Sequence, residues 1–270
     1  MNISGNIYKM STKLNGCKSI PNVEYSLPIG EELISLNGLI NNFICFTFLK
    51  EINCIACNRK ITKSFAQGYC YPCFINSPET SECILKPELC QAQEGISRDK
   101  EWSEKHCLQP HYVYLALSSN IKVGVTRSTQ IPTRWIDQGA TKAIRFCKTP
   151  NRYIAGLIEV NIKNYISDRT SWQKMLKNIL ESEKDLFDSK NDLIDKLPSD
   201  LKIYKSKNDI ITEIGYPVEE YPTKVKSVGF DKNDEIHGRL IGIKGQYLMF
   251  DDGRVLNVRK HNGYKVIFEY

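Results

Sequence analysis

Two closely spaced cysteine pairs constrain the fold of this chain more than any other feature. Cys54 and Cys57 form the first pair and Cys70 and Cys73 the second, each with two residues between its members. A turn with this spacing can point both thiolates at one ion, and two such turns complete a tetrahedral zinc site. The spacing therefore predicts a zinc ribbon, in which the chain between the pairs returns as a hairpin and a metal replaces part of an apolar core.

Disulfide bonds or buried apolar thiols are the alternative explanation. The first 15 residues lack the basic start and apolar run of a secretory signal, and no apolar stretch approaches the roughly 20 residues that span a bilayer. We therefore expect a cytoplasmic chain, in which thiols stay reduced and paired thiols usually bind metal. The intervening segment also favours metal, because Arg59, Lys60 and Lys63 offset thiolate charge and Gly68 permits the second turn.

Length and composition indicate a globular protein. The chain has 270 residues, enough for one large domain or two to three small ones, with 41% hydrophobic and 25% charged residues. Its net charge of +6 is compatible with nucleic acid. The excess is concentrated at residues 112–177, which hold eleven Lys and Arg against three Asp and Glu. Such a stretch is usually a solvated face, but here it surrounds the isolated Glu159, which favours a nucleic-acid contact.

Apolar patterns predict an α+β fold. The predicted segments are a small β region at 1–53, the zinc ribbon at 54–76, a connector at 77–110, an α/β domain with a long helix at 111–200 and a β region at 201–270. The α/β domain has strands near 112–117 and 121–126 and helices at 129–138 and 152–165.

Two further features complete the predicted fold. The long helix begins near Ser167 and carries a stripe of apolar residues at helical spacing: Trp172, Met175, Leu176, Ile179 and Leu180. Glycines at turn positions near the C-terminus predict a small barrel of about five strands, and a barrel built from both chain ends is the alternative.

The connector contains a second group of metal-binding residue types. These are Cys83, Cys90, His106, Cys107 and His111. Their spacing is loose and includes no Cys-x-x-Cys pair, so a second zinc site and purely structural cysteines both remain open. Cys17, Cys45 and Cys147 stand alone in apolar surroundings, which predicts buried cysteines.

Four residues of the central segment carry a resemblance to the GIY-YIG endonuclease family. That family has two short strands with signature tripeptides, an arginine on the first helix and a metal-binding glutamate on a later helix. Tyr114 and Gly124 match the tripeptides, Arg134 matches the arginine and Glu159 the glutamate. Gly124 would let the backbone approach closely. The alternative is an α/β core with an incidental arginine and glutamate.

The resemblance implies cleavage of phosphodiesters with Mg²⁺ or Mn²⁺. Tyr114 would orient or activate water, Arg134 would bind the scissile phosphate and Glu159 would hold the metal. Tyr112 stands where the family favours glycine, but it shares a strand face with Tyr114 and is a second candidate phenol. Lys122 replaces the first tyrosine of the second tripeptide. The residues predicted to contact nucleic acid are Lys122, Arg127, Arg145 and Arg152.

The wider chain is similar to an uncharacterised bacterial family, the domain of unknown function 2797. The similar segments are 64–73, 110–119, 122–127 and 132–140. This resemblance spans most of the chain and implies no established activity.

The leading hypothesis is a zinc-stabilised, nucleic-acid-binding protein with a GIY-YIG-like domain that acts as a metal-dependent endonuclease. A non-catalytic module that grips nucleic acid by charge is one alternative. A scaffold whose zinc only replaces a core is the other. Neither the choice between DNA and RNA nor the oligomeric state follows from the sequence, and no membrane partner is expected.

Overall fold

The chain folds into two compact units. A computed structural model describes residues 1–16, 20–181 and 184–270. The first unit joins residues 1–75 to residues 214–270, and the second comprises residues 76–213. Most of the predicted C-terminal β region thus shares a unit with the predicted N-terminal β region. Cys17 lies outside the described residues.

Strands and helices alternate irregularly, as the α+β prediction requires. The strands are β1 (Asn2–Asn6), β2 (Ser11–Asn15), β3 (Asn22–Ile29), β4 (Glu32–Ser35), β5 (Phe43–Asn53), β6 (Lys60–Ile61), β7 (His111–Leu117), β8 (Ile121–Arg127), β9 (Lys142–Thr149), β10 (Thr212–Glu213), β11 (Lys226–Val228), β12 (Glu235–Lys244), β13 (Tyr247–Phe250), β14 (Arg254–Asn257) and β15 (Tyr264–Glu269). The α-helices are α1 (Tyr71–Asn76), α2 (Lys100–His106), α3 (Thr133–Asp137), α4 (Arg152–Lys163), α5 (Trp172–Leu176), α6 (Leu186–Asp195) and α7 (Ser199–Lys202).

A large sheet in the first unit is built from both ends of the chain. Its order is β1-β15-β5-β12-β13-β14-β11, with β6 added on β5, and β11 pairs with β14 in parallel. Strand β12 alternates buried Ile236 and Leu240 with exposed His237 and Arg239, as expected when one face packs on a core. Strands β2, β3 and β4 form a smaller antiparallel sheet.

The predicted closed barrel is wrong. Both chain ends contribute, since β1 pairs with β15 and β5 pairs with β12 and β15. However, β1 and β11 stand at opposite ends of the strand order and do not pair with each other in the described part of the chain. The 11-residue strand β5 pairs with both β12 and β15, and the other strands are added outward from this centre to two separate ends of the order.

The second unit is centred on a four-stranded sheet, β10-β9-β7-β8. Alternation along β7 and β8 divides their residues between two faces. One face carries Val113, Leu115 and Val123, which pack with Ile158 of α4 and Leu193 of α6 into the apolar core. The opposite face carries the tyrosines and Gly124, so these residues point away from this core.

The predicted helices differ in length from those observed. Helix α4 begins at Arg152 as predicted, with the Asn151 side chain accepting a bond from the Ile154 N–H. Helix α3 is shorter than predicted because Pro132 disfavours a helical residue before it.

The prediction of a long helix after residue 167 is wrong. Helix α5 ends at Leu176, and Asn178, two residues later, adopts a left-handed φ of 55° that turns the chain away from the helix. Asp185 then caps the separate helix α6. Within the described ranges, no helix is both long and apolar enough to cross a membrane.

Candidate metal and catalytic sites

The two Cys-x-x-Cys pairs meet in one cluster. Ligand atoms of Cys54, Cys57, Cys70 and Cys73 all lie within 4.8 Å of one another. The first pair follows directly after β5, where the Cys54 N–H donates to the Arg59 carbonyl at 2.8 Å. Backbone pairing of β5 with β6 turns the chain back around this first pair.

The second pair departs from a zinc ribbon. A short hairpin closed by an antiparallel bridge between Phe65 and Tyr69 leads into this pair, but Cys70 immediately precedes helix α1 and Cys73 lies within it. Gly68 enters this turn with φ of 137°, and a Cβ there would come within 2.8 Å of Ile55. The predicted need for glycine at this position is confirmed.

The spacing of these thiols and their hydrogen bonds both suit the binding of a metal ion. The Cys57 and Cys70 sulfurs are 3.8 Å apart, close to the roughly 3.8 Å expected between two thiolates bound tetrahedrally at about 2.3 Å from one zinc. The Cys70 N–H donates to the Cys54 sulfur at 3.1 Å. Although burial works against it, backbone N–H groups of Cys70, Cys57 and Ala56 lower the pKa of Cys54 to about 6. The cluster could therefore bind a zinc ion.

No disulfide is formed among the cysteines that the structure describes, all of which are free. The disulfide alternative therefore fails for them. Cys45 and Cys147 are buried, as predicted.

A second cluster brings together the sulfurs of Cys83, Cys90 and Cys107, again within 4.8 Å of one another. Short 3₁₀ turns at Glu82–Ile84 and Pro87–Leu89 position the first two, and Cys107 caps the C-terminus of α2. The three cysteines line a cavity of about 340 Å³. Hydrogen bonds from Cys107 and Cys83 lower the pKa of Cys90, which favours a thiolate. This cluster also could bind a zinc ion.

The two histidines of the connector differ in their surroundings, and neither belongs to the three-sulfur group. His106 stacks on Trp102, with ring centroids 4.1 Å apart, and its Nδ1 lies 2.7 Å from the Trp102 carbonyl oxygen. His111 is the first residue of β7 and is 1% exposed. Its Nδ1 lies 2.7 Å from the Gln109 carbonyl oxygen, and its buried Nε2 has no hydrogen-bond partner in the described structure.

A third group of donors was missed by the sequence analysis. Cys45, Glu235 and His237 place ligand atoms within 4.8 Å of one another, with His237 Nδ1 2.7 Å from Glu235 Oε1. Cys45 and His237 face each other across strands β5 and β12. No local pattern could have found this group, because the pairing joins strands far apart in the chain.

Tyr114 and Gly124 are in direct contact. They are paired residues of β7 and β8. A Cβ on Gly124 would lie 2.6 Å from the Tyr114 hydroxyl oxygen, so the missing side chain makes room for the ring. The hydroxyl donates to Gln138 Oε1 at 3.0 Å, and the ring packs edge-on against Trp135 of α3. Tyr114 is fully buried.

Arg134 lies next to the Tyr114 hydroxyl, and Glu159 is near enough to act on its charge. Burial raises the pKa of Tyr114, whereas the neighbouring Arg134 guanidinium lowers it and the Glu159 carboxylate raises it further. Arg134 projects from α3 and is half-buried. Glu159 projects from α4 and is 7% exposed, and its burial raises its own pKa. The structure thus places Gly124 and Arg134 against Tyr114, with Glu159 within electrostatic range of the same hydroxyl.

Two further charged residues border this group and were missed as site residues. Lys163 Nζ lies 3.4 Å from the Glu159 carboxylate and 3.2 Å from that of Asp168. The four-residue spacing of Glu159 and Lys163 on a helix was a usable signal. Asp168 lies in the loop beyond α4, and its contact with Lys163 could not be predicted from spacing alone.

Comparison with known proteins identifies the family. A family model described as "Protein of unknown function (DUF2797)" matches residues 42–266. The chain belongs to the DUF2797 family. Both cysteine clusters and the residues around Tyr114 fall inside the matched range. Searches of curated proteins and of solved structures each found no match.

The other predicted site residues of this DUF2797 member are distributed unevenly. Tyr112 is half-buried on the face of Tyr114, and the Arg145 guanidinium lies 5.1 Å from its ring centroid. Arg127 is also half-buried. Arg152 is buried and donates to the carbonyls of Cys83 and His106, at 3.3 and 3.1 Å. Their contacts with nucleic acid stay predictions.

Lys122 is a buried amine rather than a surface cation. It is 4% exposed on the same sheet face as Gly124, and no hydrogen bond or ion pair engages its side chain within the described residues. Burial lowers the pKa of Lys122 to about 7, an effect strengthened by Arg134 and opposed by Asp168. Near neutral pH this lysine can therefore either hold or release a proton.

We expect Lys122→Met to change how stability depends on pH. The unfolded chain keeps the proton on Lys122 up to about pH 10, but the folded chain releases it near pH 7. The contribution of Lys122 to the free energy of unfolding should thus rise by roughly 1 kcal/mol per pH unit between about pH 7 and 10. Below that window the methionine variant should be the more stable protein. Urea unfolding of the two proteins at several pH values measures this slope and the difference in their stability.

Lys148→Met, at an exposed position of β9, is the control for this substitution. Its difference from wild type should not change across the same window. Parallel pH profiles for Lys122→Met and wild type would show that Lys122 does not titrate there.

Proposed function

We propose that this DUF2797 member is a zinc-binding, nucleic-acid-associated protein whose second unit cleaves phosphodiesters with Mg²⁺ or Mn²⁺. The observation that carries the proposal is the convergence of Tyr114, Arg134 and Glu159 from three separate elements, β7, α3 and α4. Phosphodiester cleavage needs a positioned nucleophile, a cation on the phosphate and a carboxylate for a divalent metal. These three side chains supply those groups.

Each side chain has a role that its surroundings support. Arg134 is the partly exposed cation of the set and binds the scissile phosphate. Tyr114, fixed by Gln138 and by contact with Gly124, orients the attacking water. Lys122, on the same face, is a buried amine that can accept a proton where the GIY-YIG pattern has a tyrosine.

The carboxylates fit a divalent cation. Lys163 Nζ lies between Glu159 and Asp168, within 3.4 Å of both, and its place between the two carboxylates supports a cation site there. Mg²⁺ commonly uses one or two protein carboxylates and keeps several waters. A bound ion would neutralise charge that develops on the phosphate. Lys163 would give up its contact with Glu159 to admit it.

The four-cysteine cluster has a structural role in this proposal. Four thiolates close the coordination of a zinc ion and leave no position for substrate. Zinc there stabilises the segment after β5 and takes no part in cleavage.

A non-catalytic nucleic-acid-binding protein is the second candidate. It is favoured by the complete burial of Tyr114 and by the pairing of Glu159 with Lys163, which already satisfies the carboxylate. In that case Arg134 and exposed cations of the second unit would hold the phosphate backbone by charge alone.

The test is incubation of the full-length protein with labelled single-stranded DNA, double-stranded DNA and RNA, with Mg²⁺, Mn²⁺ or EDTA. We expect cleavage of at least one substrate that requires the divalent ion. Salt-dependent binding without cleavage supports the second candidate instead. If neither cleavage nor binding occurs, both proposals fail and the scaffold alternative is left.

A further inference from the structure

The structure assigns a second metal site of the Cys₃His type, in which Nε2 of His111 completes the cluster of Cys83, Cys90 and Cys107. The assignment is independent of the proposed cleavage activity. It rests on the three converging sulfurs and on a buried nitrogen of His111 that has no hydrogen-bond partner among the described residues.

Two arginines place positive charge near the three sulfurs. Arg152 is near enough to influence the pKa of all three thiols, and Arg127 interacts with Cys107. Without a metal, two ionised thiolates at such short distances would repel each other. Ionisation of more than one of the three thiols is therefore unfavourable. A divalent ion with nearby guanidinium groups removes that repulsion, because the ligands bind as thiolates.

His111 has the arrangement of a metal ligand. Histidines that bind metal usually donate their other ring N–H to a carbonyl or carboxylate, which fixes the ring. The Nδ1 of His111 lies 2.7 Å from the Gln109 carbonyl oxygen, which leaves Nε2 as the ligand atom. That nitrogen is buried without a hydrogen bond in the described residues, a costly state that a metal bond would relieve.

Position also favours His111. It follows Cys107 with three residues between them. Burial lowers the pKa of His111 and the Cys90 thiolate opposes that shift, so the ring is within electrostatic range of the cluster. Its ring nitrogen is not within 4.8 Å of all three sulfurs. Binding at about 2.0 Å for nitrogen and 2.3 Å for sulfur would therefore draw the ring and the sulfurs together.

His106 is the competing histidine and is less suited. Its Nδ1 is held by the Trp102 carbonyl and its ring is stacked on the indole of the same residue. Its side chain is half-buried, so its second nitrogen has no comparable need for a partner.

Such a site would fasten the connector to the α/β sheet. His111 begins β7, which carries Tyr114 three residues later, and Cys107 ends α2. Arg152 begins α4, which carries Glu159, and bonds to carbonyls of Cys83 and His106. The Cβ that Gly156 lacks would lie 2.1 Å from the Glu88 backbone nitrogen, so α4 also packs closely on the turn before Cys90. The metal would hold the two elements that carry Tyr114 and Glu159 in place.

Metal analysis of the full-length protein tests the assignment. We expect about two zinc ions per chain in wild type and in His106→Ala, and about one in His111→Ala and Cys90→Ser. His111→Cys should restore about two, because a fourth thiolate is an equivalent zinc ligand. After exchange into Co²⁺, that variant should show stronger sulfur-to-metal charge-transfer absorption than wild type.

Two results would overturn the assignment. One is a His111→Ala protein that keeps its second zinc with wild-type affinity in competition with a chromophoric chelator. The other is a wild-type protein that binds only one ion. If His111→Ala folds poorly, restoration of metal by His111→Cys decides the question. These readouts count metal and do not involve cleavage, so failure of the nuclease proposal leaves them unaffected.

Discussion

Cys70→Ser is expected to remove about one zinc ion per chain and to unfold the segment from Cys54 through helix α1. The reason is the near absence of a core there. From residue 54 to residue 76, the buried residues are Cys54, Gly68 and Cys70, and no large apolar side chain is among them. Metal binding to such sites releases about 10 to 16 kcal/mol at neutral pH, which takes the place of the missing apolar burial.

Metal content and limited proteolysis measure the two effects of this substitution. The zinc count should fall by about one, and new cleavage sites should appear between Cys54 and Asn76. Cys147→Ala is a matched control, since it also removes a buried cysteine, but from the apolar core of the second unit. It should lower stability and keep the zinc. Retention of wild-type zinc by Cys70→Ser would refute the four-cysteine site.

Features that depend on a few neighbouring residues could be predicted from the sequence. The metal-binding spacing of the cysteine pairs, the two strands on either side of residue 119 and the start of α4 at an asparagine cap are all local signals. The contact between Tyr114 and Gly124 is also set by local sequence, since a short turn between adjacent strands fixes their register.

Features that depend on distant contacts could not be predicted. The large sheet needs β1 to pair with β15 and β5 with β12, and no local pattern fixes those partners. The apolar stripe after residue 171 matched a helix, but Asn178 takes a left-handed conformation that ends the helix. Ile179 and Leu180 are consequently exposed rather than packed in a core.

Charge in the sequence was a poor guide to exposure. Lys122 and Arg152 belong to the basic stretch, yet both are buried and serve the interior of the second unit. Discrimination between His106 and His111 likewise needed their burial and hydrogen bonds, because both stand at plausible distances from Cys107 in the chain.

Glu159→Gln and Arg134→Ala are expected to reduce phosphodiester cleavage by about 100- to 1000-fold each, the usual cost of removing one preorganised charged group from such a site. Glutamine keeps the shape of Glu159 and removes the charge needed for a divalent ion. Because burial already disfavours the charged carboxylate, this variant should fold as well as wild type. Arg134→Ala removes the cation proposed to bind the phosphate. It also leaves Gln138 as the remaining partner of the Tyr114 hydroxyl.

Single-turnover cleavage rates, measured with binding affinity on the same substrate, separate catalysis from binding. Glu159→Gln should lose rate while it retains affinity, whereas Arg134→Ala should lose both, because the proposed role of its guanidinium is to contact the phosphate in the bound and reacting states. Arg169→Ala is the control, since it removes an exposed cation of the same unit and should lower affinity only slightly. Cleavage by Glu159→Gln at the wild-type rate would rule out metal-dependent chemistry at this carboxylate. Loss of affinity in Arg134→Ala without any wild-type cleavage would instead identify the cluster around Tyr114 as a binding surface.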